Sequence, residues 1–383
     1  MAIKILFGRQ VFAFRVKMRW YIFILALSSY KNPITAIKGL MYLIKIRKNV
    51  KGKKVIKKLV YHEGAYYFGA YVPPWNSKLF KHFVIDKLNK FKPTNLKSNR
   101  FNNIFFAITK KCPLQCAHCF EWDELNKKEV LELDKIFEIL KNLEEFGFNQ
   151  LILSGGEPMT RLKWVYKILS HLKNNVNCWI FTSGYNLNRE NAIKLKNEGL
   201  KGVFISLDHY EKEIHNEFRG NEKSYNWVIN GVNNANQAGL LVCLSVCITK
   251  EMANKKDLMN YMSLAKKLGV AFVQFLEPKA VGHFKGKDVL LNDTQIELLE
   301  DVYQLYNTDK DYKKYPIIMY HGYHQRRIGC FNAGHTGLYI NTDGNLNACP
   351  FCHSDENNGN FNIKEQINQI VERGCVEYGA IEM

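Results

Sequence analysis

The chain has 383 residues, 46% hydrophobic and 13% aromatic, a composition able to bury a large core and too apolar for wholesale disorder. Its formal net charge of +18 is unevenly spread: residues 1–100 carry 22 Lys or Arg against only Glu63 and Asp86, leaving 32 basic and 34 acidic residues, a net of −2, for the remainder. The excess positive charge belongs to the first quarter and points to an acidic partner of that segment, whether lipid headgroups, an acidic peptide or nucleic acid.

In chain order, residues 1–58 read as two basic amphipathic helices, broken near Asn32-Pro33 and ending in the run Lys51, Lys53, Lys54, Lys57, Lys58. Their most apolar stretch, residues 20–27, is bounded by Arg19 and Lys31 and falls short of the about 20 residues that span a bilayer. No small-residue cleavage site follows cleanly, so the segment reads as retained, with an interfacial helix as the alternative. Residues 59–72 alternate aromatic and small side chains about Glu63-Gly64, a hairpin signal closed by Pro73-Pro74. A short helix over 78–91 and a polar linker to Arg100 complete an N-terminal extension, 1–100.

From Asn103 the rhythm becomes short β-branched or aromatic runs separated by helical patterns. Strands are expected at 104–109, 150–154, 178–183, 202–208, 241–249 and 271–277, with helices such as 128–145 and 255–268 between them. The fold class is α/β, a partial (β/α)6 TIM-like barrel over 101–280, with chemistry expected at the C-terminal strand ends. A connector, 281–328, with a helix near 293–306, leads to a small unit, 329–383, of β-hairpin and helix. In it, 338–340 and 346–348 flank the turn Thr342-Asp343-Gly344-Asn345.

Ten cysteines in short-spaced groups are the pattern of metal ligation, not of a secreted disulfide framework, so a reducing, cytoplasmic compartment is expected. Cys112, Cys116 and Cys119 follow the first strand, and three thiolates on one loop can each take one iron of a four-iron cluster, leaving the fourth open. A structural zinc site is the competing account, but it needs a fourth ligand, and His118 is tightly placed between two of the cysteines. Zinc also leaves unexplained Ser154-Gly155-Gly156-Glu157-Pro158 at the second strand end, where glycines admit a close approach and Glu157 can accept from an ammonium. It equally leaves Ser206 and Asp208 at the fourth, a hydroxyl and carboxylate suited to a ribose.

The CxxxCxxC loop, the GGEP strand end and the S-x-D strand end, in this order and spacing, resemble the radical S-adenosylmethionine (SAM) superfamily over residues 103–277. The resemblance implies that Cys112, Cys116 and Cys119 bind a [4Fe-4S] cluster whose unique iron chelates SAM. Gly155, Gly156 and Glu157 would line the methionine amino group, Ser183, Ser206 and Asp208 would lie near the ribose or carboxylate, and Arg219 would pair with the SAM carboxylate. The activity implied is reductive cleavage of SAM to a 5′-deoxyadenosyl radical that abstracts hydrogen from a substrate, with electrons from an external donor of flavodoxin or ferredoxin type.

Cys330, Gly344-Asn-Leu-Asn-Ala-Cys349, Cys352 and Cys375 resemble the SPASM or shorter twitch extension of peptide-modifying members and imply one auxiliary [4Fe-4S] cluster, with a four-cysteine zinc ribbon as the alternative. A peptide substrate follows from that likeness, with lipid-linked, sugar or small-molecule substrates as alternatives. The basic extension could hold an acidic leader peptide, or residues 1–60 could lie on an anionic membrane surface at its inner face. A non-catalytic nucleic-acid module is disfavoured, since it does not use the strand-end motifs. Cys178, Cys243 and Cys247 read as small strand hydrophobes, although Cys243 and Cys247 share strand parity and one could return a hydrogen atom to a substrate radical. His118, His209, His215, His321 and His324 receive no role.

Overall fold

The computed structural model describes residues 3–51, 55–173, 175–330, 332–352, 363–375 and 377–378. The chain opens with β1 (Lys4–Phe7), α1 (Arg9–Tyr30) and α2 (Pro33–Lys51), the two helices expected from the pattern. Their break is made locally: Lys31 takes a left-handed φ of 52° and donates its N–H to Leu27 O, and Pro33, without an N–H to satisfy, begins the next helix. α1 carries apolar residues on its outward face as well as its inward one. Val11, Phe14, Met18, Leu25 and Ala26 are buried inward, while Phe12, Val16, Trp20 and Ile24, each four residues apart, face outward. Among the described residues no helix is long and apolar enough to cross a membrane.

β2 (Lys58–His62) and β3 (Ala65–Tyr67) form the expected hairpin, with Glu63 and Gly64 both at positive φ, 46° and 81°, as a two-residue turn of the right twist requires. β1, which the sequence did not signal, pairs antiparallel with β2. α3 (Lys78–Phe91) starts at Ser77, whose side chain accepts from the Phe80 N–H.

The barrel strands are β4 (Phe101–Ala107), β5 (Phe148–Ser154), β6 (Asn177–Thr182), β7 (Leu200–Ser206), β8 (Leu241–Cys247) and β9 (Phe272–Leu276), parallel neighbours in chain order. Between them run α4 (Leu133–Phe146), α5 (Leu162–Leu172), α6 (Arg189–Asn197), α7 (Lys212–Arg219), α8 (Ser224–Gln237) and α9 (Lys255–Lys267). The strands read as near-continuous apolar runs because both faces are covered, as in β8, where every residue is buried. The expected helix 128–145 begins only at Leu133, since Glu129 is drawn out to cap the loop after β4.

The sheet extends beyond the six strands expected. The stretch 281–328 supplies α10 (Asp293–Thr308), β10 (Ile317–Tyr320), which pairs parallel with β9, and α11 (His321–Ile328). β11 (Gly337–Ile340) lies parallel beside β4, with Leu338 opposite Ile104, and β12 (Leu346–Asn347) returns antiparallel; α12 (Ile363–Arg373) follows. One nine-stranded sheet therefore carries both the barrel and the hairpin that bears Cys349.

The outer face of the sheet packs on its helices through residues such as Ile139, Leu169 and Val232. The inner face near the strand starts is plugged by the N-terminal hairpin: Val60 and Tyr67 pack with Trp179, Phe204, Cys243 and Phe272. Polar contacts fix the plug. His62 Nε2 meets Gly239 O at 3.0 Å, and the buried Lys58 ammonium donates to Tyr315 O at 2.8 Å, burial drawing its pKa down to about 7. With that end closed, the C-terminal strand ends open onto a cavity of about 1050 Å³, roofed on one side by α1, α2 and α3.

Candidate functional site

The loop after β4 is positioned by its own backbone. Asn126, at a left-handed φ of 60°, brackets Cys112, accepting from its N–H and donating to its carbonyl, both at 3.0 Å. Glu129 accepts from the Lys110 N–H at 3.1 Å and is itself held by Arg161 at 3.2 Å. Gly156 N donates to Thr109 O at 2.7 Å and Glu157 N to Lys111 O at 2.8 Å, so the second strand end is zipped to the cysteine loop. A Cβ on Gly155, at φ 131°, would sit 2.5 Å from Thr109 O. The close approach that this glycine permits is by the loop's backbone.

Glu157 is buried and fully engaged. It accepts from Met159 N at 3.1 Å, Thr182 Oγ1 at 2.8 Å, Ser183 N at 2.7 Å and Ser183 Oγ at 2.6 Å. Burial raises its pKa above the usual carboxylate range, opposed but not cancelled by these donors, each of which favours the ionised form. Asp208 forms an ion pair with Arg219 at 2.5 Å and accepts from Cys247 N at 3.0 Å, while its own N–H goes to His215 Nδ1 at 3.1 Å. Although Asp208 is buried, the Arg219 guanidinium holds its pKa below the usual carboxylate range. Arg219 also reaches Cys116 Sγ at 3.5 Å, and its Nε is buried without a partner among the described residues.

Burial pushes the thiols of all three loop cysteines up, Cys119 to about 12, with Arg219 opposing the shift at Cys116. Such thiols stay protonated unless a cation displaces the proton, which suits a metal-binding loop. Among the described residues no three Cys, His, Asp or Glu side chains converge on a point that could hold one metal ion.

The C-terminal cysteines face the same cavity. The thiols of Cys330 and Cys375 adjoin each other, and Cys352 adjoins both Cys349 and Cys375. The unit is clamped to the first cysteine loop by the buried Lys110 ammonium, which pairs with Asp343 at 2.7 Å and Glu124 at 2.6 Å, and by a Tyr339 to Glu121 hydrogen bond. His283, in the 281–328 stretch, ties that stretch to the same loop: its backbone N–H donates to Cys119 O at 2.9 Å, its Nδ1 meets Cys116 O at 3.0 Å, and its ring stacks on Trp122 at 3.8 Å.

Cys112, Cys116, Cys119, Gly155, Gly156, Glu157, Ser183, Ser206, Asp208, Arg219, Cys330, Cys349, Cys352 and Cys375 thus line one cavity. Cys247 also lines it, Cys243 lies in the packed floor, and Cys178 faces the outer core. His118 stacks on Phe218 at 4.9 Å and is kept neutral by burial, its pKa drawn down to about 4. Of the residues that hold the site, Asn126, Glu129, Lys110 and His283 escaped sequence reading. Their only signal is an ordinary polar side chain in a loop, and their partners lie 14 or more residues away in the sequence.

Residues 106–265 match the Radical SAM superfamily family model. Over 187 residues the chain is 30% identical to GTP 3′,8-cyclase of Nautilia profundicola, covering 46% of this chain and 57% of that enzyme. It is 28% identical over 229 residues to GTP 3′,8-cyclase of Campylobacter jejuni strain RM1221, covering 58% of this chain and 69% of the enzyme. The chain thus spans between about half and two thirds of these relatives. Among solved structures it is similar to Streptococcus suis SuiB bound to precursor peptide SuiA (TM-score 0.55, 14% identity, 85% of this chain and 75% of that one). It is likewise similar to anSMEcpe with bound AdoMet and Cp18Cys peptide (TM-score 0.57, 17% identity, 71% and 81%). Motif and family match agree that the chain carries a radical SAM domain over residues 106–265, and members of that superfamily use a [4Fe-4S] cluster and SAM.

Proposed function

We propose that Cys112, Cys116 and Cys119 hold the radical SAM cluster and that the chain uses it to take a hydrogen atom from a peptide held in the cavity. The observation that carries this reading is the continuity of that cavity, in which the cysteine loop, the Gly155 to Glu157 and Ser206 to Asp208 strand ends and the C-terminal cysteines face one space. When bound, the cluster supplies the electron that splits the sulfonium of SAM into methionine and a 5′-deoxyadenosyl radical. The chain's own residues orient and exclude. Glu157 offers negative potential to the methionine ammonium, Arg219 offers its free Nε to the carboxylate, and Ser206 and Asp208 border the ribose. The hairpin plug and Tyr71, which stacks on Phe204 at 5.1 Å and donates to Gln274 at 3.0 Å, close the floor against water.

Cys330, Cys349, Cys352 and Cys375 are assigned an auxiliary [4Fe-4S] cluster, supported by the neighbouring thiols and the shared cavity. By function the chain divides into the basic extension 1–100, the barrel 101–280, the 281–328 stretch and the cluster unit 329–383. The peptide reading is supported by the cavity's size and by a neighbour of similar fold that holds a precursor peptide. The specific observation favouring a nucleotide is the likeness to GTP 3′,8-cyclases. The two part on one assay: with SAM and reductant, a short peptide encoded beside the gene should accelerate 5′-deoxyadenosine formation and lose hydrogen, while GTP should be recovered unchanged. Conversion of GTP with no effect of peptide would reverse the assignment.

The outward face of α1 and α2 supports a membrane partner. Phe12 is 68% exposed and Trp20 63%, in line with Val16 and Ile24 and beside Ile34, Ile37 and Met41 of α2, and no acidic residue precedes Glu63. An apolar stripe set in basic charge fits the headgroup boundary of an anionic bilayer.

A further inference from the structure

The inner face of the same helical pair carries charge into the cavity. Val11, Arg15, Met18 and Ile22 recur at helical spacing on α1 and line the cavity wall, and Arg47 of α2 lines it beside them. Arg15 donates to Ile56 O. Among the described residues neither guanidinium has a carboxylate partner, and Arg47 has no hydrogen bond. The first acidic residue of the chain, Glu63, is held at 2.6 Å by Lys196. Burial, then the charges of Arg47 and Arg19, draw the Arg15 pKa down to about 10, so both arginines remain cationic at neutral pH and repel across a partly desolvated wall. With no carboxylate beside them among the described residues, two planar donor forks line the cavity, the arrangement that oxyanions satisfy in pairs.

We propose that Arg15 and Arg47 form an oxyanion-binding subsite that anchors the substrate by a carboxylate or phosphate while its reacting part lies at the far end of the cavity, beside the cysteine loop. The inference rests on the reading of this cavity as the substrate site. The same cavity is also lined by the apolar residues Met18, Ile46, Phe68 and Phe80, so the ligand joins an anionic group to an apolar body. For a peptide the anionic group is a glutamate or aspartate side chain or the C-terminus; for a nucleotide it is the phosphate.

The test is equilibrium binding by the full-length, cluster-loaded protein, which requires no turnover. The probes are the peptide Ac-Ala-Leu-Glu-Leu-Glu-Ala-NH2, its counterpart with Gln in place of both Glu, and GTP. The Glu peptide should bind at least tenfold more tightly than the Gln peptide. Arg15→Gln/Arg47→Gln should abolish that preference, and Arg15→Lys/Arg47→Lys, which restores the charge, should recover most of it. Arginine-dependent binding of GTP with no preference between the peptides would uphold the subsite and identify phosphate as its ligand. Equal affinity of wild type and Arg15→Gln/Arg47→Gln for both the Glu peptide and GTP, or no binding of either by wild type, would overturn the subsite. Failure of SAM cleavage by the wild-type protein would strike the functional reading and leave the binding result intact.

Discussion

Arg219 places a guanidinium nitrogen 3.5 Å from the sulfur of Cys116, coupling a cation at the end of α7 to a cysteine of the loop after β4. Asp208, 2.5 Å away, fixes that guanidinium from the other side. A positive charge beside a cluster thiolate favours the more negative, reduced cluster. Arg219→Met should therefore shift the cluster's reduction potential more negative by tens of millivolts and slow SAM cleavage at least about tenfold. Potentiometric titration followed by electron paramagnetic resonance reads the first, and an unchanged potential would leave Arg219 a packing residue.

Glu157→Ala removes the acceptor of four hydrogen bonds and strands the Ser183 and Met159 N–H groups in a buried site. The expected loss of stability is on the order of 3 kcal/mol. Denaturant unfolding checks it, and Glu157→Gln, which keeps one of the two acceptor oxygens, should lose less.

Iron and sulfide contents separate the two cysteine sets. Reconstituted wild type should hold about eight irons per chain and Cys352→Ala about four, with the radical cluster retained. Wild type with about four irons would confine the iron to one set.

Lys58 gives a pH signature. Its pKa is about 7 when folded against 10.5 as the ordinary value, so between those limits the unfolded chain binds the extra proton and stability rises with pH. The burial penalty is fully present below pH 7. Lys58→Met should flatten the increase in melting temperature between pH 7 and 10; an identical slope in both proteins would contradict the assignment.

Trp20→Ser/Phe12→Ser should reduce co-sedimentation with phosphatidylglycerol-containing vesicles several-fold, and salt should weaken what remains. Wild-type binding that is equal on neutral phosphatidylcholine vesicles and indifferent to salt would remove the electrostatic part of the membrane reading.

The barrel strands were legible because burial on both faces writes apolar runs, and the two N-terminal helices, their Asn32-Pro33 break and α3 were legible from local chemistry. β10 and β1 were not, since four-residue strands such as Ile317–Tyr320 gain their identity from a neighbour, here β9, that the local sequence does not name. The site residues were readable where a motif carried them. Lys110, which ties the cysteine loop to Asp343 more than two hundred residues away, and the Arg15 and Arg47 pair depend on tertiary approach alone.

The central claim is tested most directly by incubating the anaerobically reconstituted protein with SAM and dithionite and measuring 5′-deoxyadenosine. Wild type should release it together with methionine, and Cys116→Ala should release none. No product from a wild-type preparation with a full complement of iron and sulfide, or equal product from Cys116→Ala, would contradict the account.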